Sequence, residues 1–128
     1  MRRGLLFIGM VGMAVLAARA AAAQDVASAM AGNGDLKMPL GSFLDYCNAG
    51  NQAACIRKLG DDEAEWLDAS WMAGGGSICW PQDNRGYPDS QQIGQQMLNW
   101  LNAHPERRAD PTDTVTSDAD ASLYPCAD

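Results

Sequence analysis

The fold is decided by the stretch PLGSFLDYC, residues 39–47. Apolar side chains recur in it at i, i+3, i+4 and i+7, which is the spacing of one face of an α-helix. They are Leu40, Phe43, Leu44 and Cys47. Proline is favoured at the first position of a helix, so Pro39 marks its start. The residues NAGN at 48–51 then predict a turn before the next cysteine.

A second and longer helix is predicted from Gln52 to about Met72. Its stripe advances in steps of three and four residues through Ile56, Gly60, Ala64, Leu67 and Trp71. The small residues in the stripe would let another helix approach closely. Glycine weakens a helix by about 1 kcal/mol relative to alanine. A break at Gly60, with Asp61 capping a second piece, therefore remains an alternative.

Two further helices are predicted downstream. Asp89 is a suitable N-cap, and Gln92 three residues later completes a variant of the capping box. The stripe of this third helix consists of Ile93, Met97, Trp100 and Leu101. His104-Pro105 ends it. The last helix starts at Asp110, with Pro111 at its first position; its thin stripe is Val115, Ala119 and Leu123. No alternating run argues for strands, so we expect an all-α fold, a small disulfide-stapled bundle of about four helices.

The four cysteines predict a disulfide framework, because a domain of this size buries only a modest core. Four cysteines allow three pairings, and spacing alone does not choose among them. In an up-down-up-down bundle, Cys47 and Cys55 flank one pole, whereas Cys79 and Cys126 lie at the other. We therefore favour Cys47–Cys55 and Cys79–Cys126.

The N-terminal segment has the layout of a secretory signal peptide. Arg2 and Arg3 form a basic n-region, residues 5–18 form an apolar core, and small residues follow at 20–23. We place the cleavage after Ala23, while cleavage after Ala20 fits almost as well. Export predicts a periplasmic location, where disulfides persist.

This processing divides the chain into three parts: a signal peptide (1–23), a flexible N-terminal arm (24–38) and a helical domain (39–128). Cleavage leaves six basic and sixteen acidic residues, a net charge of −10. Such a domain repels nucleic acid and anionic membrane surfaces and attracts basic partners. We expect no nucleic-acid partner and, after signal cleavage, no membrane association.

Sequence motifs around the cysteines add a family resemblance. FLDYC (43–47) precedes Cys55, and ICWP (78–81) follows the long helix. MLNWL (97–101) leads to HPE (104–106), and LYPC (123–126) comes last. This ordered set resembles the Rap1a/Tai family of small exported immunity proteins over about residues 40–127. Each motif is weak alone, whereas the ordered set in an exported chain of this length is fairly specific.

The resemblance implies a compact helical fold with intramolecular disulfides. It also implies a protein partner, namely a peptidoglycan amidase delivered by a type VI secretion system. The immunity protein would inhibit this amidase by blocking its active-site cleft, and it could form a homodimer. An alternative of another class is a small periplasmic stress or chaperone-like protein that binds unfolded clients, opened by acid.

The residues themselves do not indicate catalysis. The single histidine, His104, stands at a helix end, which is a favourable place for its charge. No nucleophile-elbow pattern is present, and the cysteine spacings do not match metal-binding pairs. We expect a non-enzyme with no catalytic residues, no metal and no cofactor.

The strongest surface feature is acidic. The carboxylates Asp61, Asp62, Glu63, Glu65 and Asp68 lie mostly off the apolar stripe of the second helix. A run of charges is most often a solvated face, but it can also receive a basic partner. Trp66 lies off the stripe and Trp80 in a connection, and tryptophan is enriched at interface hot spots. These seven residues are the candidate partner interface.

Overall fold

The computed structural model describes residues 6–32, 35–72, 78–81 and 89–126, with side chains given for all of these except 6–12 and 66–72. Its helices are α1 (Leu6–Ala31), α2 (Leu40–Tyr46), α3 (Gln52–Met72), α4 (Ser90–Asn102) and α5 (Thr112–Leu123). The described residues form isolated β-bridges but no strand. The all-α class is confirmed, and α2 to α5 are the four predicted helices.

α3 and α4 contact each other at two glycines. A Cβ atom on Gly60 would lie 2.7 Å from the carbonyl carbon of Ser90, and one on Gly94 would lie 2.8 Å from that of Ile56. Neither position has room for a side chain, so the two backbones touch directly. The predicted close approach at Gly60 is confirmed, and α3 runs through this residue without a break.

The core lies where α2 and α5 meet the α3–α4 pair. The stripe of α4 is completely buried at Ile93, Met97, Leu98 and Leu101. Asp89 is the N-cap of α4 as predicted, because its side chain accepts a hydrogen bond from the backbone N–H of Gln92 at 3.1 Å. The apolar residues of the core belong to one cluster: Val26, Leu36, Leu40, Phe43, Leu44, Cys47, Cys55, Ile56, Leu59, Trp80, Ile93, Met97, Leu98, Leu101, Val115, Ala119 and Tyr124.

Short extended segments before α2 and α5 pair with each other. The N–H of Leu40 donates to the carbonyl of Asp110 at 2.9 Å, and the N–H of Thr112 donates to that of Met38 at 2.9 Å. The Thr112 hydroxyl also donates to the Met38 carbonyl, at 2.7 Å. The start of α5 is therefore held against the start of α2 by backbone hydrogen bonds.

The disulfides pair as predicted. Cys47–Cys55 closes the turn between α2 and α3, with Cα atoms 5.8 Å apart. Gly50 lies in this turn at φ +96°, a conformation that favours glycine. Cys79–Cys126 joins the segment before α4 to the chain after α5, with Cα atoms 4.8 Å apart. The two bonds are compatible with an oxidising, extracytoplasmic compartment.

The segment 24–38 differs from the expected flexible arm. α1 continues to Ala31, Val26 is completely buried, and Leu36 is 5% exposed. Ala29 and Met30 pack on the same core, giving a short i, i+3, i+4 pattern. Three apolar positions among many small residues are too few to predict a buried helix face from the sequence. Of the helices described, none is long and apolar enough to cross a bilayer.

Alanine at either glycine of the helix contact should destabilise the fold. Gly60→Ala or Gly94→Ala forces α3 and α4 apart, so we expect a loss of about 3 kcal/mol or more in the free energy of unfolding, measured by urea denaturation. Gln91→Ala, at an exposed position of α4, is the control. An unchanged unfolding midpoint in both glycine variants would contradict the direct backbone contact.

The two disulfides should differ in their resistance to reduction. Cys79 is exposed, whereas Cys47 and Cys55 are both completely buried. A reductant reaches an exposed sulfur more readily. Under native conditions we expect Cys79–Cys126 to be reduced first, as mapped by alkylation and mass spectrometry. In Cys79→Ser/Cys126→Ser the remaining bond should stay oxidised under the same conditions; its equal or faster reduction would refute the prediction.

Candidate functional site

The acidic residues of α3 separate into an outer group and an inner residue. Asp61 and Glu65 lie one turn apart and are exposed. Asp62 accepts a 2.8 Å hydrogen bond from Lys58, and partial burial raises the pKa of Asp62 while this cation lowers it. The outer carboxylates thus form a charged surface, whereas Glu63 turns towards α5.

Two predicted interface residues cannot be placed on this surface. The backbone of Trp66 and of Asp68 belongs to α3. Their side chains lie outside the described part of the chain. For these two residues the interface assignment stays a prediction.

Glu63 forms a carboxyl pair with Asp120 of α5. The two side chains hydrogen-bond to each other, and Asp120 is only 6% exposed. Burial is the main cause that raises the pKa of both carboxyl groups, and the negative charge of Glu63 raises that of Asp120 further. Among the described residues no N–H or O–H group donates to Oδ1 of Asp120. The hydrogen bond between them forms when one carboxyl group is protonated and donates to an oxygen of the other.

Sequence reasoning did not connect these carboxyl groups, although their positions carry a signal. Glu63 follows Ile56, Leu59 and Gly60 at i+7, i+4 and i+3, so it belongs to a buried stripe. Asp120 likewise lies four residues after Thr116, which is also buried. A carboxylate at a core position of a helix indicates a partner, because an isolated buried charge is very costly. The sequence alone does not identify that partner.

Trp80, which the sequence analysis places in the candidate partner interface, is buried in the structure. It is 9% exposed, and its ring centroid lies 4.6 Å from that of Tyr124. The two residues come together because the N–H of Cys79 donates to the carbonyl of Tyr124 at 2.8 Å, beside the second disulfide. Trp80 is thus a core residue at this pole and is withdrawn from the candidate interface.

Tyr124 connects this pole to α4. Its hydroxyl donates a hydrogen bond to Oε1 of Gln96. Burial, followed by the negative charges of Asp120 and Glu63, raises the pKa of Tyr124 to about 12. The phenol, the amide and the carboxyl pair therefore form a polar cluster between α3, α4 and α5.

His104 has a structural contact that accounts for its position. Its Nδ1 lies 2.7 Å from the carbonyl oxygen of Trp100, and the two rings stack with centroids 3.6 Å apart. This closes the C-terminal end of α4. Within the described ranges, no three His, Cys, Asp or Glu residues are grouped to hold a metal ion.

Two arginines after α4 were not identified from the sequence. Arg107 donates to Asp118 of α5 at 2.8 Å, and Arg108 donates to Asp45 of α2 at 2.7 Å. Arg108 also donates to the carbonyl of Gly41. These exposed ion pairs fix the connection between α4 and α5, and each contributes little stability alone.

Comparison of the chain with protein-family models, with curated proteins and with solved structures finds no match. The assignment of the acidic surface and of the carboxyl cluster therefore depends on the geometry of this chain alone.

Removal of the Tyr124 hydroxyl should have two measurable effects. Tyr124→Phe leaves Gln96 without its buried donor, so we expect a loss of about 1 kcal/mol in the free energy of unfolding. It should also remove a phenol transition near 12 from the ultraviolet pH titration. Tyr46→Phe, at a half-buried position of α2, is the control and should retain that transition. Persistence of the transition in Tyr124→Phe would refute the assignment.

Proposed function

We propose that the exported chain is a periplasmic protein-binding module of the immunity type, which inhibits a peptidoglycan amidase by occupying its active-site cleft. The observation that carries this proposal is the outer surface of α3, where Asp61 and Glu65 are exposed one turn apart on a disulfide-linked scaffold. A rigid acidic helix approaches a basic cleft without a large ordering cost. The module acts by binding and needs no cofactor.

The motifs that resemble those of Rap1a/Tai proteins contact one another in the folded chain. The motifs ICWP and LYPC lie far apart in the chain, yet they meet through the Trp80–Tyr124 ring contact and the Cys79–Cys126 bond. FLDYC supplies the buried Phe43 and Leu44. The residues on which the resemblance depends therefore lie in the same folded domain.

The dimensions of α3 suit a blocking role. The helix has 21 residues, which corresponds to a length of roughly 30 Å. Its inner side is fixed to α4 at Gly60, so the helix presents its outer side as a preformed surface. Attraction between opposite charges mainly raises the association rate, while exclusion of substrate from the cleft accounts for inhibition.

The carboxyl pair weakens the chaperone alternative. A chaperone opened by acid needs groups whose protonation destabilises the fold. Glu63 and Asp120 have raised pKa values, so the stability they contribute is fully present at low pH and is lost as the pH rises. This pair therefore opposes acid-induced opening.

Charge reversal on the outer surface of α3 tests the proposal. The oxidised protein is used to capture periplasmic and secreted peptidoglycan hydrolases, and any amidase recovered is titrated with it in an activity assay. We expect stoichiometric inhibition. In Asp61→Lys/Glu65→Lys, the association rate at low ionic strength should fall by about tenfold or more.

The matched control is Asp25→Lys/Asp35→Lys, which makes the same change in net charge at exposed positions outside α3. It should inhibit nearly as well as the unaltered protein. If the association rate falls equally in both variants, net charge alone accounts for the effect and the position of the carboxylates on α3 does not. Failure to inhibit any recovered hydrolase, with many clients bound weakly at low pH, would favour the chaperone.

A further inference from the structure

We propose that Glu63 of α3 and Asp120 of α5 share a single proton, and that this proton is a latch for the C-terminal half of α5. With the proton in place, the two carboxyl groups form a hydrogen bond that holds α5 against α3. When the proton passes to hydroxide in alkaline solution, two negative charges face each other and this half of α5 loosens. The inference does not depend on the proposed inhibitory function.

The geometry requires a proton in this place. Asp120 is 6% exposed, and within the described part of the chain its Oδ1 has no N–H or O–H donor. Its neighbour is another carboxyl group, which offers a donor only when protonated. Two ionised carboxylates in contact at a buried position are strongly unfavourable, so one proton is retained.

The charged groups around the pair leave it without a compensating cation. On α3, the negative charge of Asp62 raises the pKa of Glu63. Asp62 itself forms an ion pair with Lys58. Directly after α5 the neighbour is Tyr124, whose phenol donates a hydrogen bond to the neutral Gln96 of α4. No cation of the described residues acts directly on either carboxyl group.

The neighbouring contacts limit how far α5 can move. Its only fully buried apolar side chains are Val115 and Ala119, so apolar packing holds the helix weakly. Arg107 holds Asp118 on one side of the pair, and the disulfide of Cys126 holds the other. Loss of the proton therefore loosens residues 119–123, while the ion pair of Asp118 before this segment and the contacts of Tyr124 after it remain in place.

The sign of the pH dependence follows from the raised pKa values of both carboxyl groups. Their stabilising contribution is complete below about pH 4, near the ordinary values of 3.8 and 4.5. It decreases as the pH rises through the raised values. The latch is therefore closed in acid and opens in alkali.

Hydrogen exchange on the full chain, expressed with export and purified with both disulfides formed, tests the latch. We expect the protection factors of the amides at 119–123 to fall with rising pH. Between the ordinary and the raised pKa values of the pair, the fall should approach about tenfold per pH unit, after correction for intrinsic exchange, and it should level off at higher pH. In Asp120→Asn, the new amide donates to ionised Glu63, so the protection should be nearly independent of pH.

Asp61→Asn makes the same chemical change at an exposed position of α3 and should keep the pH dependence of the unaltered protein. Carbon-13 NMR of labelled Asp and Glu side chains gives a second measurement that needs no variant. A protonated carboxyl in neutral solution, absent from Asp120→Asn, supports the latch. Full ionisation of all carboxyl groups at that pH, or equal pH dependence in Asp120→Asn, would overturn it.

Discussion

The direct contact between the backbones of α3 and α4 is the constraint on which the remaining structure depends. Gly60 and Gly94 let the two helices approach until main-chain atoms touch. This distance sets the position of the α4 stripe, on which the core is built. The same contact also sets the distance between α3 and α5 that the Glu63 side chain must span. A wider spacing would open a void in the core and change the carboxyl contact.

Most of the helical architecture could be predicted, because it depends on local patterns. The helix that begins near Pro39 and the cap at Asp89 are both encoded within a few neighbouring residues. The disulfide pairing followed from bundle topology. The helical segment around Val26 was missed, since it has too few apolar residues for periodicity to reveal it. Only tertiary contact with the core makes that segment part of the domain.

The candidate site was less predictable, because its residues act through contacts between distant segments. Charge composition identified the exposed Asp61 and Glu65. It did not separate them from Glu63, since all three are acidic residues of one helix. Burial of Trp80 likewise depends on Tyr124, which lies at the far end of the chain. A charged or aromatic residue acquires its role from the partner that the fold brings to it.

The pairing of the segment before α2 with the segment before α5 sets an order in which the contacts of the fold can close. The N–H of Leu40 donates to the segment before α5, and the N–H of Thr112 donates to the segment before α2. Cys79 forms a disulfide with Cys126. These contacts join segments that lie far apart in the chain, so their closure carries a large entropic cost. Cys47 and Cys55 are separated by one short turn, so their loop closes at much lower entropic cost. The folding chain can thus acquire its first covalent link early, while the Cys79–Cys126 bond closes only after distant segments have met.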